Sequence, residues 1–245
     1  MVSDSSPVLA PGIDRQSAAD SLPRRQPARL RRALAWAAIT AQVLFVASTL
    51  AAAFWQGPRY SAMAQSISDM SALTAPHASF LVVMFTDCGA ATILFALFAL
   101  RPALRTGGRA ATVGGVLLAL SVAGLGNLLS SSERLACRTA DPGCTAAKAL
   151  SNTGGKMDSA VTSIGILALV AAGFFLASAM RRTADWRPWA WPTRVTALLI
   201  LAFTIADVAI GSSTGTGGLF ERLIAGTGAA GIAALAIGVQ RRPRT

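Results

Sequence analysis

The sequence predicts an all-α fold: a polytopic membrane protein built as a bundle of six transmembrane helices, with both termini on the cytoplasmic side. Three observations carry that expectation. Of 245 residues, 53% are hydrophobic and only 13% charged, where a globular domain carries about a quarter charged residues. The apolar residues stand in blocks close to the roughly 20 residues that cross a bilayer, not in periodic stripes. The basic residues gather at alternate connections between those blocks. This composition excludes a chain disordered over most of its length, and it argues against a soluble enzyme.

Residues 1–32 are rich in Ser, Pro, Asp and Arg without apolar periodicity, and are expected to form a disordered basic cytoplasmic tail. The membrane domain is expected over residues 33–240, and residues 241–245 form a second short basic tail. The blocks run from Ala33 to Trp55, His77 to Leu100, Ala110 to Ser130, Ser159 to Met180, Val195 to Ser212, and Leu219 to Val239. A cleaved signal peptide is the rival reading of the first block, with Ala51 to Ala53 as its small-residue site. The apolar region is too long for one, and cleavage would leave an odd number of spans. The fifth block is the shortest and contains an aspartate. Before it stand Trp186, Trp189 and Trp191, interleaved with Pro188 and Pro192, a pattern expected of interfacial anchors in a short connection. Small residues at Gly114, Gly115, Gly124, Gly165, Gly226 and Ala230 are expected at helix contacts.

Orientation follows from arginine. Sixteen of the 22 basic residues fall in the N-terminal tail, the connections after spans two and four, and the C-terminus. The positive-inside bias puts that side in the cytoplasm, and the excess charge is explained as a topology signal that also contacts anionic lipids. No motif or basic face of the kind that binds nucleic acid is present. The Ala/Arg/Gly bias and the six spans point to a bacterial plasma-membrane protein of actinobacterial style, whose first partners are membrane lipids. Oligomeric state is not legible.

Cys137 and Cys144 flank a turn containing Asp141-Pro142-Gly143 in the connection between spans three and four. Two readings compete there: a disulfide, favoured by an oxidising outer side, and a pair of idle thiols. Cys88 reads as a small packing residue. The first outer connection, residues 56–76, is more polar than a connector needs to be. Met63, Ile67 and Met70 recur in it at helical spacing, which suggests a short interfacial helix.

Two strings carry a resemblance. The first is Tyr60-Ser61 followed by Ile67-Ser68-Asp69-Met70, and the second is Gly218-Leu219-Phe220-Glu221-Arg222-Leu223 at the mouth of span six. Together with length, span count and loop order, they resemble a six-span bacterial family of unknown function, DUF998, itself distantly like the DRAM/Frag/Sfk group of membrane proteins. The likeness covers roughly residues 33–240. It implies the six-span fold and no established activity. The chain departs from that family's pattern at the start of span four, where Met157-Asp158 replace a histidine.

Charged groups inside spans cost about 2.5–3.5 kcal/mol each on insertion scales and are functional candidates by default. Asp87 is roughly 15 Å into span two and Asp207 roughly 18 Å into span five, at 1.5 Å per residue. Polar groups that the same bundle could turn inward are Thr86, Asn127, Ser130, Asp158, Ser159, Thr162, Thr204 and Ser212. The resulting hypothesis is a polar pocket opening outward that takes a lipid or small molecule. Asp87, Asn127, Asp158 and Asp207 would line it, with Tyr60, Ser68, Asp69, His77, Glu221 and Arg222 at its mouth. The competing reading is structural: protonated aspartates and helix-contact polar groups that only fix packing.

Non-enzymatic binding is the expectation. The alternatives are a proton- or cation-coupled transporter using the intramembrane aspartates, and a membrane-bound enzyme acting on lipids. For catalysis the signals are thin. Ile205-Ala206 precede Asp207 where an intramembrane aspartyl protease would have Gly-x-Gly, and His77 is the only histidine for a zinc or haem site. The run 211–218 lacks the Gly-Lys-Ser/Thr end of a phosphate loop and reads as a hairpin turn. No catalytic residue, metal or cofactor is expected.

Overall fold

A computed structural model describes residues 28–241, of Ser212 the backbone alone. All regular structure among these residues is helical. Six helices are long and apolar enough to cross a membrane: α1 (Ala28–Trp55), α2 (Ala78–Ala103), α3 (Arg109–Gly126), α4 (Thr153–Arg181), α5 (Ala184–Gly211) and α6 (Gly217–Gln240). Each packs on its neighbours in sequence, and α6 closes back onto α1. The result is an up-and-down ring in which consecutive helices are neighbours. Both described ends lie at one end of it, where the Gln240 side-chain amide donates to the carbonyl of Arg32 at 2.8 Å.

Large apolar side chains such as Val43, Ile164 and Val208 are exposed on the outside of the ring. In lipid that costs nothing, and it is what a spanning bundle must present. Inside, one cluster of buried residues gathers Phe95, Leu118, Leu176 and Trp186. A second, including Phe45, Met70, Leu81 and Phe85, brings in two residues of the first connection, Ile67 and Met70.

Several boundaries differ from the sequence expectation, each for a local reason. Helix α1 begins at Ala28, so residues 28–32 are helical and Arg29, Arg31 and Arg32 ride on its first turns. Residues 1–27 and 242–245 of the expected tails lie outside the described residues. Helix α4 starts six residues before Ser159, because Asn152 caps it by accepting the Gly155 N–H at 2.7 Å. Asp158 therefore stands inside the helix. The Trp/Pro stretch is helix and not a connection: Pro188 sits near the N-terminus of its long α-helical stretch, where a missing N–H does no harm, and Pro192 lies within. Trp186 is wholly buried, stacked edge-on against Trp189, while Trp191 faces outward. Of these three tryptophans, Trp191 alone is exposed on the outer surface.

Helix α3 is discontinuous. Ser121 is extended (φ −69°, ψ 172°) between Arg109–Leu120 and a π-helical turn, Val122–Gly126. The Ser121 hydroxyl donates to the Leu118 carbonyl at 2.7 Å, satisfying a group the break frees. Gly165 of α4 lies against this break, and a Cβ there would stand 2.6 Å from the Val122 nitrogen. Gly226 and Ala230 make no such contact: the first has open space where a side chain would go and the second is exposed. The expected interfacial helix in the first connection is only a single 3-10 turn, Ser68–Ser71, with Met70 fully buried and Met63 exposed.

Candidate functional site: a roofed cavity in the helix ring

The end of the ring opposite the termini is covered by the two long connections. The residues that form the cover include both strings singled out in the sequence, and they turn out to be each other's partners. Arg222 donates through Nη1 to the carbonyls of Ala62 and Gln65, and to Gly218 on its own helix, at 2.8 Å each. Its Nη2 donates to the Tyr60 hydroxyl. The Leu219 N–H donates to the Met63 carbonyl at 3.0 Å. Glu221 accepts the Ile67 N–H at 2.8 Å. Gly218 is required by close approach, since any Cβ would fall on the Gln65 carbonyl oxygen. Burial pushes the Tyr60 phenol above its ordinary pKa, against the pull of the neighbouring guanidinium.

The second connection locks the first from above. Asp69 is 2% exposed and accepts the Thr139 N–H at 2.8 Å and its hydroxyl at 2.7 Å. Arg134 donates to the carbonyls of Ser71 and Ala72, at 2.9 and 3.0 Å. Arg138 donates to the Gln56 carbonyl at 2.8 Å and pairs with Asp141 at 2.6 Å. Burial pushes Asp141 upward, but the bonds from Arg138 and Thr74 and the guanidinium charge outweigh it and hold its carboxyl below the ordinary range. Cys137 and Cys144 form a disulfide with a Cα–Cα separation of 6.2 Å, so the bonded reading of that pair holds.

Beneath this roof lies a cavity of about 100 Å³. Its floor and walls come from α1, α2, α3, α4 and α6, with Phe45, Phe85, Ile166, Leu169 and Ile224 as the apolar surface. At the roof end the lining turns polar. Three carboxyl side chains reach it, Glu133, Asp158 and Glu221, with Ser68, Asn127 and Ser130 among them. Ser68 donates to Asp158 at 2.9 Å, and Glu221 holds the Ile67 N–H. Glu133 differs: it is 6% exposed, and its Oε1 has no hydrogen-bond partner. Burial, and then the charge of Asp158, raise its pKa from 4.5 to about 7. No arginine, lysine or histidine lines the cavity.

The ten residues expected to make the pocket thus divide. Ser68, Asn127, Asp158 and Glu221 line it. Tyr60, Asp69 and Arg222 belong to the roof and are spent on backbone and loop contacts. His77, Asp87 and Asp207 are elsewhere. His77 is exposed, adopts left-handed backbone (φ 54°) just before α2, and meets Trp55 edge-on. Asp87 is exposed on the outer surface of α2. The Asp207 carboxylate folds back over Gly211, beside the α5–α6 turn. Depth along a span says nothing of the face a residue occupies: Asp87 falls on the outer face of α2, and Asp207 belongs to α5, which does not line the cavity. A transport path running between Asp87 and Asp207 loses its geometric basis.

Three polar lining residues were missed, Gln42, Ser71 and Glu133. Gln42, whose amide donates to Thr92 at 2.9 Å, was the one amide in an otherwise apolar stretch of α1, a signal that was there to use. Glu133 stands in a connection, where a charge is unremarkable, and nothing in the sequence marks it as buried. Among the described residues no group of His, Cys, Asp or Glu converges closely enough to hold a metal ion.

Compared with known proteins, the family described as protein of unknown function (DUF998) matches residues 39–238. No curated protein and no solved structure matches.

Proposed function

Because the chain belongs to the DUF998 family, whose description assigns no activity, we propose its function from the cavity: a non-enzymatic membrane protein that holds a small molecule, or part of a lipid, under the roof formed by its two long connections. The observation that carries this reading is the buried, unpartnered Oε1 of Glu133, a residue that lines the cavity. A buried acceptor left without a donor costs about 1–3 kcal/mol, and a native fold retains such a group where a ligand or water completes it. An apolar cavity with a few convergent polar groups is also the usual form of a small-molecule site.

The arginine distribution supports a setting in which the roof faces outward from the plasma membrane, with both termini in the cytoplasm. The ligand then enters from the outside or from the outer leaflet. A roof tied by a disulfide suits that side.

The test is cavity filling. Ala225 lines the cavity on α6, and Ala225→Phe places a ring in it. Native mass spectrometry of the protein released from lipid nanodiscs is expected to show a bound small mass on the parent chain. The variant, folded by its unfolding midpoint, should have lost that mass. Equal occupancy in the two proteins, or none in the parent, would overturn the proposal.

A further inference from the structure

The roof end of the cavity carries three carboxyl groups and no cationic side chain. Two of the three already have protein donors, Asp158 from Ser68 and Glu221 from the Ile67 N–H. Glu133 has none on Oε1. Only Glu221 of the three feels a cation, the Arg222 guanidinium in the roof; the carboxyl groups otherwise repel one another and forgo water, so the free protein is incomplete electrostatically. What restores balance is a cation that also donates hydrogen bonds. A bare metal ion is a poor candidate, because the acidic groups among the described residues do not converge as metal ligands do. Beyond the carboxyl groups the lining is mixed, with Gln42, Asn127 and Thr162 among apolar side chains, and Phe45 and Phe85 stand as a tilted ring pair with centroids 5.3 Å apart. Aromatic faces attract an organic cation and accept its alkyl part. An engineered cavity of about 150 Å³ takes benzene, so about 100 Å³ accommodates a somewhat smaller molecule.

We propose that the cavity recognises a small protonated amine, with the ammonium among Glu133, Asp158 and Glu221 and the carbon chain against Phe45 and Phe85. This rests on the reading of the cavity as a ligand site and names the chemistry of what enters it. The ammonium donates to Glu133 Oε1 and shares the charge of the other two carboxyl groups through charge-assisted bonds. The source is either a free amine or the ammonium of a phosphatidylethanolamine headgroup.

The experiment measures thermal unfolding of the full chain in nanodiscs against three probes of one size and shape, n-butylammonium chloride, n-butanol and sodium butyrate, at matched ionic strength. Butylammonium is expected to raise the midpoint saturably, with at least twice the shift given by butanol and none from butyrate. Glu133→Gln and Asp158→Asn should each weaken its apparent affinity at least fivefold. Where a variant does not fold, the selectivity of the parent protein among the three probes decides the matter by itself.

Nanodiscs of phosphatidylglycerol alone, compared with a mixture containing phosphatidylethanolamine, separate the sources. A smaller shift in the mixture assigns the site to the lipid headgroup, and an equal shift assigns it to a free amine. Equal shifts from butylammonium and butanol overturn the amine while leaving a ligand cavity standing. A preference for butyrate overturns it in the other direction, with the carboxyl groups protonated and donating. No shift from any probe, in a protein that still releases a bound mass abolished by Ala225→Phe, overturns the amine alone. The same silence without such a mass removes the cavity reading as well.

Discussion

At the scale of single residues, burial and partnership separate acidic groups that the sequence presents as equals. Asp69 is almost wholly buried yet has two donors from Thr139, so it is a structural bond and needs nothing further. Asp87 stands at membrane depth yet is exposed on the outside of the bundle, where it contributes nothing to the interior. Glu133 has burial without a full set of partners, and the consequence is measurable. Its pKa in the folded protein is about 7 against an ordinary 4.5. Between those values the folded state holds more protons than the unfolded state, so the Glu133 contribution to stability falls as pH rises through the window. In the absence of ligand, unfolding midpoints of the parent and of Glu133→Gln should run together near pH 4.5. They should separate as pH approaches 7, with the variant then the more stable. Separation in the opposite sense would falsify the view that Glu133 is an uncompensated buried carboxyl.

At the scale of elements, the informative feature is the joint between the first connection and the start of α6. Gly218, Leu219, Glu221 and Arg222 have no common chemistry as a string. In the fold each does one part of the same task, which is to bind the backbone of residues 62–67. Removing the close approach at Gly218 therefore releases the roof without touching the cavity wall. Gly218→Val should leave the six helices intact by circular dichroism while exposing residues 56–77 to proteolysis several-fold faster than in the parent, and an unchanged cleavage rate would count against the clamp. This joint also marks how far the sequence could be read. The paired strings were visible as strings, and the Cys137–Cys144 turn as a disulfide framework, because both are local patterns. That the strings face one another is a property of the closed ring, in which α6 returns beside α1, and no spacing along the chain contains it. The Trp186–Pro192 stretch failed for a related reason. The pattern reads as interfacial anchors in a short connection, whereas proline near a helix start is favourable and Trp186 is buried against the half-buried Trp189.

At the scale of the whole molecule, two asymmetries act along one axis. Of the 17 basic residues in the described segment, 11 belong to helix ends and connections at the end of the ring that holds both described ends, while the disulfide and the roof stand at the other. Short connections rich in arginine resist translocation, so on the orientation proposed above the first asymmetry directs insertion, and the second falls on the oxidising side, where the roof can be locked covalently. Were the protein inverted, its disulfide would sit in a reducing compartment and sixteen arginines would have had to cross the bilayer. The orientation makes a test of both asymmetries at once. A membrane-impermeant maleimide applied to intact cells should leave a cysteine added at the C-terminus unlabelled. It should label Cys144, which is partly buried but at the roof end, only after an impermeant phosphine has reduced the disulfide. Labelling of the C-terminal cysteine in intact cells would reverse the orientation. The cavity would then open toward the cytoplasm, and its ligand would have to be sought there.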